Sequence, residues 1–299
     1  MGTGDACFCL GWSAWVGAVA AVVAVVLACL PATASAGRMG SPSVAALQVA
    51  LRAKGLYSGT VDGFAGPGTR TAVRSLQRRA GISVDGVPGP HTLGVLGPRG
   101  RPRLGSRAIG PGSSGFDVAA LQFLLAWHGF PSGSMDGGYG SHTQAAIIRF
   151  QRWARLARDG VAGAGTIRHL LIPPRRSPLR LARPISAGIG DGFGPRDNKF
   201  HPGLDFPAPF GTAVFAARSG RVTWAGWWAG GYGNLVSVAL GSGVRTMYAH
   251  LSSIAVRRGQ RVATGTLLGR VGSTGLSTGP HLHFELRLRG AAIDPLTGL

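Results

Sequence analysis

Cysteine is almost missing from this sequence of 299 residues, and the three that occur, Cys7, Cys9 and Cys29, all fall near its start. Beyond Cys29 there is no thiol, which excludes a disulfide framework and a cysteine nucleophile from everything that follows. Glutamate is rarer still. Glu285 is the only one, so the chain has no HExxH helix of the common zinc-peptidase type. Lysine is confined to Lys54 and Lys199, and Asp plus Glu total 11 against 31 Lys plus Arg. The formal charge of +20 is therefore carried almost entirely by guanidinium groups.

Arginine suits bidentate recognition of carboxylate and phosphate, so the expected partner is anionic. No recognisable nucleic-acid-binding motif accompanies the charge, which leaves no nucleic acid among the expected partners. Anionic cell-wall polymers and membrane surfaces fit better, and solubility with a biased use of arginine is the plainer reading. Gly 50 and Pro 19 stay just under the fraction that marks disordered sequence, while hydrophobic residues at 45% suffice for real cores.

One long apolar run is present, from Leu10 to Leu30, followed by Pro31 and the small-residue triplet 34-ASA-36. It reads as an export segment whose cleavage leaves Gly37 as the new terminus. The positive charge expected before such a run is absent, since only Asp5 precedes it. A run of about 20 apolar residues is also long enough for a retained membrane anchor, and Cys29 loosely resembles a lipoprotein acceptor. The expected location is extracellular and cell-wall associated, with membrane contact only if this segment stays.

Laid over itself with a shift of 74 residues, the stretch from Ser43 to Leu96 matches that from Asp117 to Leu170 without a gap. The pairs include Leu47-Gln48 with Leu121-Gln122, Asp62-Gly63 with Asp136-Gly137, Thr69 with Thr143, and Gln77 with Gln151. Two copies of one module are present. Ser43 and Asp117 stand before apolar series at helical spacing and are expected N-caps. A second helix is expected from Thr69 or Thr143, and a short third carries Leu93 and Leu96, or Ile167 and Leu170. The pattern resembles the peptidoglycan-binding-domain-like module of wall hydrolases. A ligand surface is expected around Asp62-Gly63 and Asp136-Gly137, with Tyr57, Phe64 and Tyr139 exposed. His91, His128, His142 and His169 show no metal spacing and read as structural or solvent-facing.

Between the modules 98-PRGRPRLGSR-107, and after them 173-PPRRSPLR-180, lack apolar periodicity and are expected to be extended, exposed linkers. From Arg183-Pro184 onward short β-prone runs alternate with glycine: 212–217, 220–226, 235–240, 244–251, 261–272 and 281–290. Turn signals at that interval indicate an all-β domain. The expected fold class is multidomain α and β, two small three-helix modules followed by an all-β antiparallel-sheet domain. The expected boundaries are 1–36 for the export segment or anchor, 41–97 and 114–172 for the modules, 98–113 and 173–184 for linkers, and 185–299 for the β domain.

Within that domain 281-HLH-283 puts two imidazoles on one face of a strand, roughly 7 Å apart along the backbone, with Leu282 and Phe284 on the other. The segment 201-HPGLD-205 supplies a further nitrogen and an oxygen. Zinc accepts such imidazole nitrogens together with a carboxylate oxygen and keeps one position open, as catalytic rather than structural sites do. The order 193-FGPR-196, 201-HPGLDF-206, 248-YAHL-251, 279-GPHLHFEL-286 closely resembles the lysostaphin-type (LytM-like) zinc endopeptidases that cut peptidoglycan cross-links. The resemblance covers roughly residues 185 to 299. It implies one Zn2+ per catalytic domain, held by His201, Asp205 and His283, and peptidoglycan as partner, with His250 and His281 as catalytic non-ligand histidines that act as general base or acid and hydrogen-bond the developing oxyanion. A monomer suffices for this.

Glu285 is expected either to support the ligands or to pair with Arg287. Tyr248 and Asn234 read first as packing and turn residues, with a place at the groove as the alternative, and Arg196 is open. A catalytically silent wall-binding regulator is the alternative to an enzyme, and a zinc amidase cutting the sugar-to-peptide bond is the nearest enzymatic rival.

Overall fold

The structure, a computed structural model, describes residues 38–299. The expected export segment, residues 1–36, lies outside them. Among the described residues no helix is long and apolar enough to cross a membrane.

Module 1 consists of α1 (Pro42–Ala53), α2 (Pro67–Arg79) and α3 (Pro90–Val95), and module 2 of α4 (Phe116–Trp127), α5 (Ser141–Ala154) and α6 (Ala164–Leu170). Each helix of module 1 opens on a proline, whose fixed φ and missing N–H suit the first helical position. The starts therefore differ from those expected. Ser41 and Gly115 are the caps rather than Ser43 and Asp117. Asp117 is buried inside the first turn of α4 and pairs with Arg107 at 2.7 Å. Likewise α2 and α5 begin two residues before Thr69 and Thr143.

The two threonines serve a different purpose. Gln48 donates from Nε2 to Asp62 at 2.7 Å, to the Phe64 carbonyl at 3.1 Å and to Thr69 Oγ1 at 3.1 Å, while its Oε1 accepts from the Gly63 N–H at 2.9 Å. The same clamp recurs at Gln77 with Asp85, Gly86 and Thr92, at Gln122 with Asp136, Gly137 and Thr143, and at Gln151 with Asp159, Gly160 and Thr166. A buried amide saturated in this way ties each Asp-Gly turn to a helix, and leaving it unpaired costs about 1–3 kcal/mol. The Asp-Gly turns are thus structural joints, with Gly63 and Gly137 buried while Asp136 stays exposed. Tyr139 is also inside, its hydroxyl donating to the Gly160 carbonyl, and only Phe64 of the expected surface aromatics is exposed.

The C-terminal part is antiparallel β, as expected, built from β1 (Gly194–Arg196), β2 (Lys199–His201), β3 (Leu204–Pro207), β4 (Ala213–Phe215), β5 (Gly220–Trp228), β6 (Gly233–Gly241), β7 (Val244–Ala249), β8 (Leu251–Ile254), β9 (Arg261–Val262), β10 (Leu267–Val271), β11 (His281–Leu288) and β12 (Ala291–Ile293). The main sheet runs β12-β11-β7-β6-β5-β9, with β3 added beside β11. Strands β4, β10 and β8 form a second sheet, and β1 and β2 a separate ribbon. Leu282, Phe284 and Leu286 are fully buried on one face of β11, which fixes its register and turns His281, His283 and Glu285 to the other.

The linkers are not free tethers. Their arginines Arg99, Arg101, Arg103, Arg175, Arg176 and Arg180 are exposed as expected, but the backbone is anchored. Ile109 is buried and exchanges hydrogen bonds with Ala162, and Ser177 and Leu181 bond to Thr297 and Gly298 near the C-terminus. The apolar core continues from module 1 through Phe123 and Trp127 of α4 into the β domain.

Candidate metal centre

Strand β3 lies antiparallel to β11 with Asp205 directly opposite His283. That register depends on Gly203, because a Cβ there would stand 2.5 Å from the Phe284 carbonyl oxygen and 2.9 Å from His283 Cε1. His201 closes β2 two residues earlier. Three atoms converge: His201 Nε2 is 3.0 Å from His283 Nδ1 and 3.1 Å from Asp205 Oδ1, and the last two are 2.7 Å apart. Tetrahedral ligands at zinc–nitrogen and zinc–oxygen distances stand roughly 3.3 Å apart, so the triangle is slightly contracted from the spacing a zinc ion imposes.

The other polar atom of each residue is already committed. His201 Nδ1–H donates to the Gly192 carbonyl at 2.8 Å, and His283 Nε2–H donates to Glu285 at 3.1 Å. Asp205 Oδ2 accepts from Arg196 at 2.9 Å. Acceptor-only partners fix both tautomers and leave lone pairs on His201 Nε2 and His283 Nδ1, the arrangement that ligating histidines use. Two facing nitrogen lone pairs and a carboxylate oxygen are satisfied together by one cation. The electrostatics agree. Burial would raise Asp205, but the hydrogen bonds that His201 and His283 donate to it when their rings are protonated hold it well below the usual carboxylate range. Burial would lower His283, yet Asp205 and Glu285 outweigh it and raise it to about 9. Positive charge is favoured at this point whether a proton or a metal supplies it.

His281 and His250 stand beside the triangle without joining it. His281 Nε2 is 3.8 Å from Asp205 Oδ1, and its Nδ1–H donates to the Gly279 carbonyl at 2.8 Å. His250 Nδ1–H donates to the Thr274 carbonyl at 2.7 Å, and its ring centroid lies 4.7 Å from that of His281. Both therefore present Nε2. His250 sits between β7 and β8 at φ 62°, a left-handed conformation held by its own N–H bonding to the Tyr232 carbonyl. Burial is the main cause that lowers its pKa, with the Thr274 carbonyl opposing, so its imidazole is neutral at neutral pH. All five histidine and aspartate positions line one cleft of about 650 Å³, walled by Asp191, Arg196, Tyr232 and Leu276.

The open expectations resolve in physical terms. Glu285 is fully buried and does both things foreseen for it, accepting from His283 and from Arg287 Nε at 2.5 Å. Tyr248 is a packing residue, buried against Phe284 with its hydroxyl accepting from the Ala217 N–H. Asn234 lies in β6 and ties it to the start of β8, donating to the Leu251 carbonyl at 3.0 Å. Arg196 bridges Asp191 and Asp205. Tyr232 escaped the sequence reading. It lines the cleft and donates to Glu285 Oε1 at 2.7 Å, and its neighbour Asn234 in 231-GYGN-234 drew attention instead.

Comparison with known proteins bears on the same residues. Residues 199–295 match the model of peptidase family M23, and residues 40–96 and 114–170 each match that of a peptidoglycan binding domain. DD-carboxypeptidase/endopeptidase Mpg of Neisseria meningitidis serogroup B is 46% identical over 99 residues, 33% of this chain and 23% of that protein. Peptidoglycan DD-endopeptidase ShyA of Vibrio cholerae is 42% identical over 102 residues, 32% of this chain and 22% of the relative. These curated relatives are thus matched over about a quarter of their own length. Among solved structures, the catalytic domain of lysostaphin from Staphylococcus simulans is 38% identical, with 37% of this chain and 90% of that one covered and a TM-score of 0.35.

Proposed function

The C-terminal domain of this chain belongs to peptidase family M23, and on that premise we propose that the protein is an exported zinc endopeptidase hydrolysing peptide bonds in peptidoglycan stems or cross-bridges. The observation that carries the reading is the convergence of His201 Nε2, Asp205 Oδ1 and His283 Nδ1, each backed by a partner on its other polar atom. These three residues would hold the ion. Zinc at that point supplies Lewis acidity toward a carbonyl oxygen and lowers the pKa of a bound water to about 7.

The chain's own residues do the rest. A scissile carbonyl entering the cleft meets two imidazoles whose Nδ1 atoms are tied to backbone carbonyls. A neutral Nε2 on His281 or His250 takes the proton from the attacking water and, once protonated, gives it to the leaving amine or donates a hydrogen bond to the oxyanion. Histidine suits both directions because its pKa lies near working pH. The two peptidoglycan binding domains keep the enzyme on its polymer, since linked modules raise local concentration. Anionic wall polymers are further partners for the arginine-rich surface. A silent regulator calls for a lost ligand, and here every ligand position is filled.

Mass spectrometry of fragments released from purified sacculi tests the bond cleaved. New amino termini on peptides that vanish with a chelator are expected, whereas free lactyl groups on muramic acid without new peptide termini would make the protein an amidase.

A further inference from the structure

We propose that the two helical modules are positioning elements for the metal site, acting through the β1–β2 ribbon, in addition to any role in holding the polymer. The inference rests on the metal-site reading above. The ribbon pairs Gly194 with His201 and Arg196 with Lys199 around a turn at Asp197-Asn198. It belongs to neither larger sheet, and an isolated two-stranded ribbon is marginal by itself. Yet it carries His201 and also Arg196, which holds the outer oxygen of Asp205. Something must brace it.

The braces come from the modules. Val61 N–H donates to the Asp197 carbonyl at 2.8 Å, and Met135 N–H donates to the Asn198 carbonyl at 2.7 Å. Val61 and Met135 are the same position of the repeat, 74 residues apart, so each copy offers its equivalent backbone donor to consecutive carbonyls of one turn. Each donor immediately precedes an Asp-Gly joint, and Gln48 or Gln122 locks that joint to its helix. Behind the ribbon Trp127 of α4 packs edge-on against Phe200 at 5.4 Å and Phe193 at 6.2 Å. Phe200 adjoins His201, and Phe193 adjoins Gly192, whose carbonyl accepts from His201 Nδ1. Module residues thus abut both the backbone that delivers His201 and the carbonyl that sets its tautomer. Undocking the modules frees the ribbon, and with it one ligand and the arginine that steadies another.

The test uses the full chain. Outer partners of metal ligands are worth about 10–100-fold in affinity, and Trp127→Ala, one step further out, is expected to weaken zinc about tenfold in competition with a chromophoric chelator. Hydrogen exchange in peptides spanning residues 192–204 should quicken, with α2 and α5 still protected and Trp127→Phe largely restoring both readouts. Gly129→Ala provides a second route where Trp127→Ala does not fold, because a Cβ at Gly129 would run into the Ala292 carbonyl across the module 2 to β12 contact. Unchanged zinc affinity and unchanged exchange in both variants would overturn the proposal. Should the wild type bind no zinc, the metal-site reading fails, and the exchange of the ribbon alone decides whether the modules brace it.

Discussion

His283→Ala is expected to lose stoichiometric zinc and to lower kcat/KM on peptidoglycan peptides by more than about 10³-fold, the loss appearing in kcat rather than in substrate binding. His283 supplies one corner of the triangle and also connects Asp205 to Glu285 through its two ring nitrogens. Its removal leaves His201 and Asp205 alone, too few protein ligands for a stable catalytic site. The back of β11 is untouched, since Leu282 and Phe284 keep the strand in place, so the variant should remain folded by circular dichroism. Elemental analysis and steady-state kinetics on the same preparation check the expectation. A folded variant that keeps its zinc would remove His283 from the ligand set.

The second large effect is expected at Glu285, the chain's only glutamate. Burial alone would raise its carboxyl, but Arg287 and His283 outweigh burial and hold it down to about 2. It receives three donors, His283 Nε2, Tyr232 Oη and Arg287 Nε. Glu285→Gln keeps the volume and removes the charge, stranding the Arg287 guanidinium, whose side chain is 22% exposed. Breaking one half of a buried pair costs about 3–5 kcal/mol, and the partial exposure of Arg287 places this case near the lower end. The amide also no longer fixes the His283 tautomer, which lowers zinc affinity about 10–100-fold. Urea unfolding and zinc competition measure the two effects separately. Combining Glu285→Gln with Arg287→Met should recover stability without recovering zinc affinity, because only the stranded charge is cured. A single variant within about 1 kcal/mol of wild type would show that the network carries little stability.

How much of this was legible beforehand follows from where the information lies. The alternation around 281-HLHFEL-286 is a local property of an extended chain, so the shared face of His281, His283 and Glu285 could be read directly. The repeat was likewise legible because both copies keep the spacing that each Gln–Asp-Gly–Thr clamp requires. The spacing gave no hint of what the clamp does, however, because its hydrogen bonds join side chains on separate helices and turns. Strands β1, β2 and β3 are three or four residues long and interrupted by Pro and Gly, so no periodicity could reveal them. Their positions depend on partners far along the chain: β3 on β11, and the β1–β2 turn on Val61 and Met135. Tyr232 was missed for the same reason, since its hydroxyl finds Glu285 across 53 residues. The linkers looked loose because their composition is arginine, proline and glycine, while the contacts that anchor them are made by backbone groups and single apolar residues such as Ile109.

The account turns on whether His201, Asp205 and His283 share one ion, and X-ray absorption at the zinc edge of the purified full chain addresses that directly. The expected result is one zinc per chain in a four-coordinate nitrogen and oxygen shell containing two imidazoles and a carboxylate, with one imidazole signal lost in His201→Ala. A protein that retains no zinc, or a zinc shell with the same two imidazoles in that variant, would contradict it.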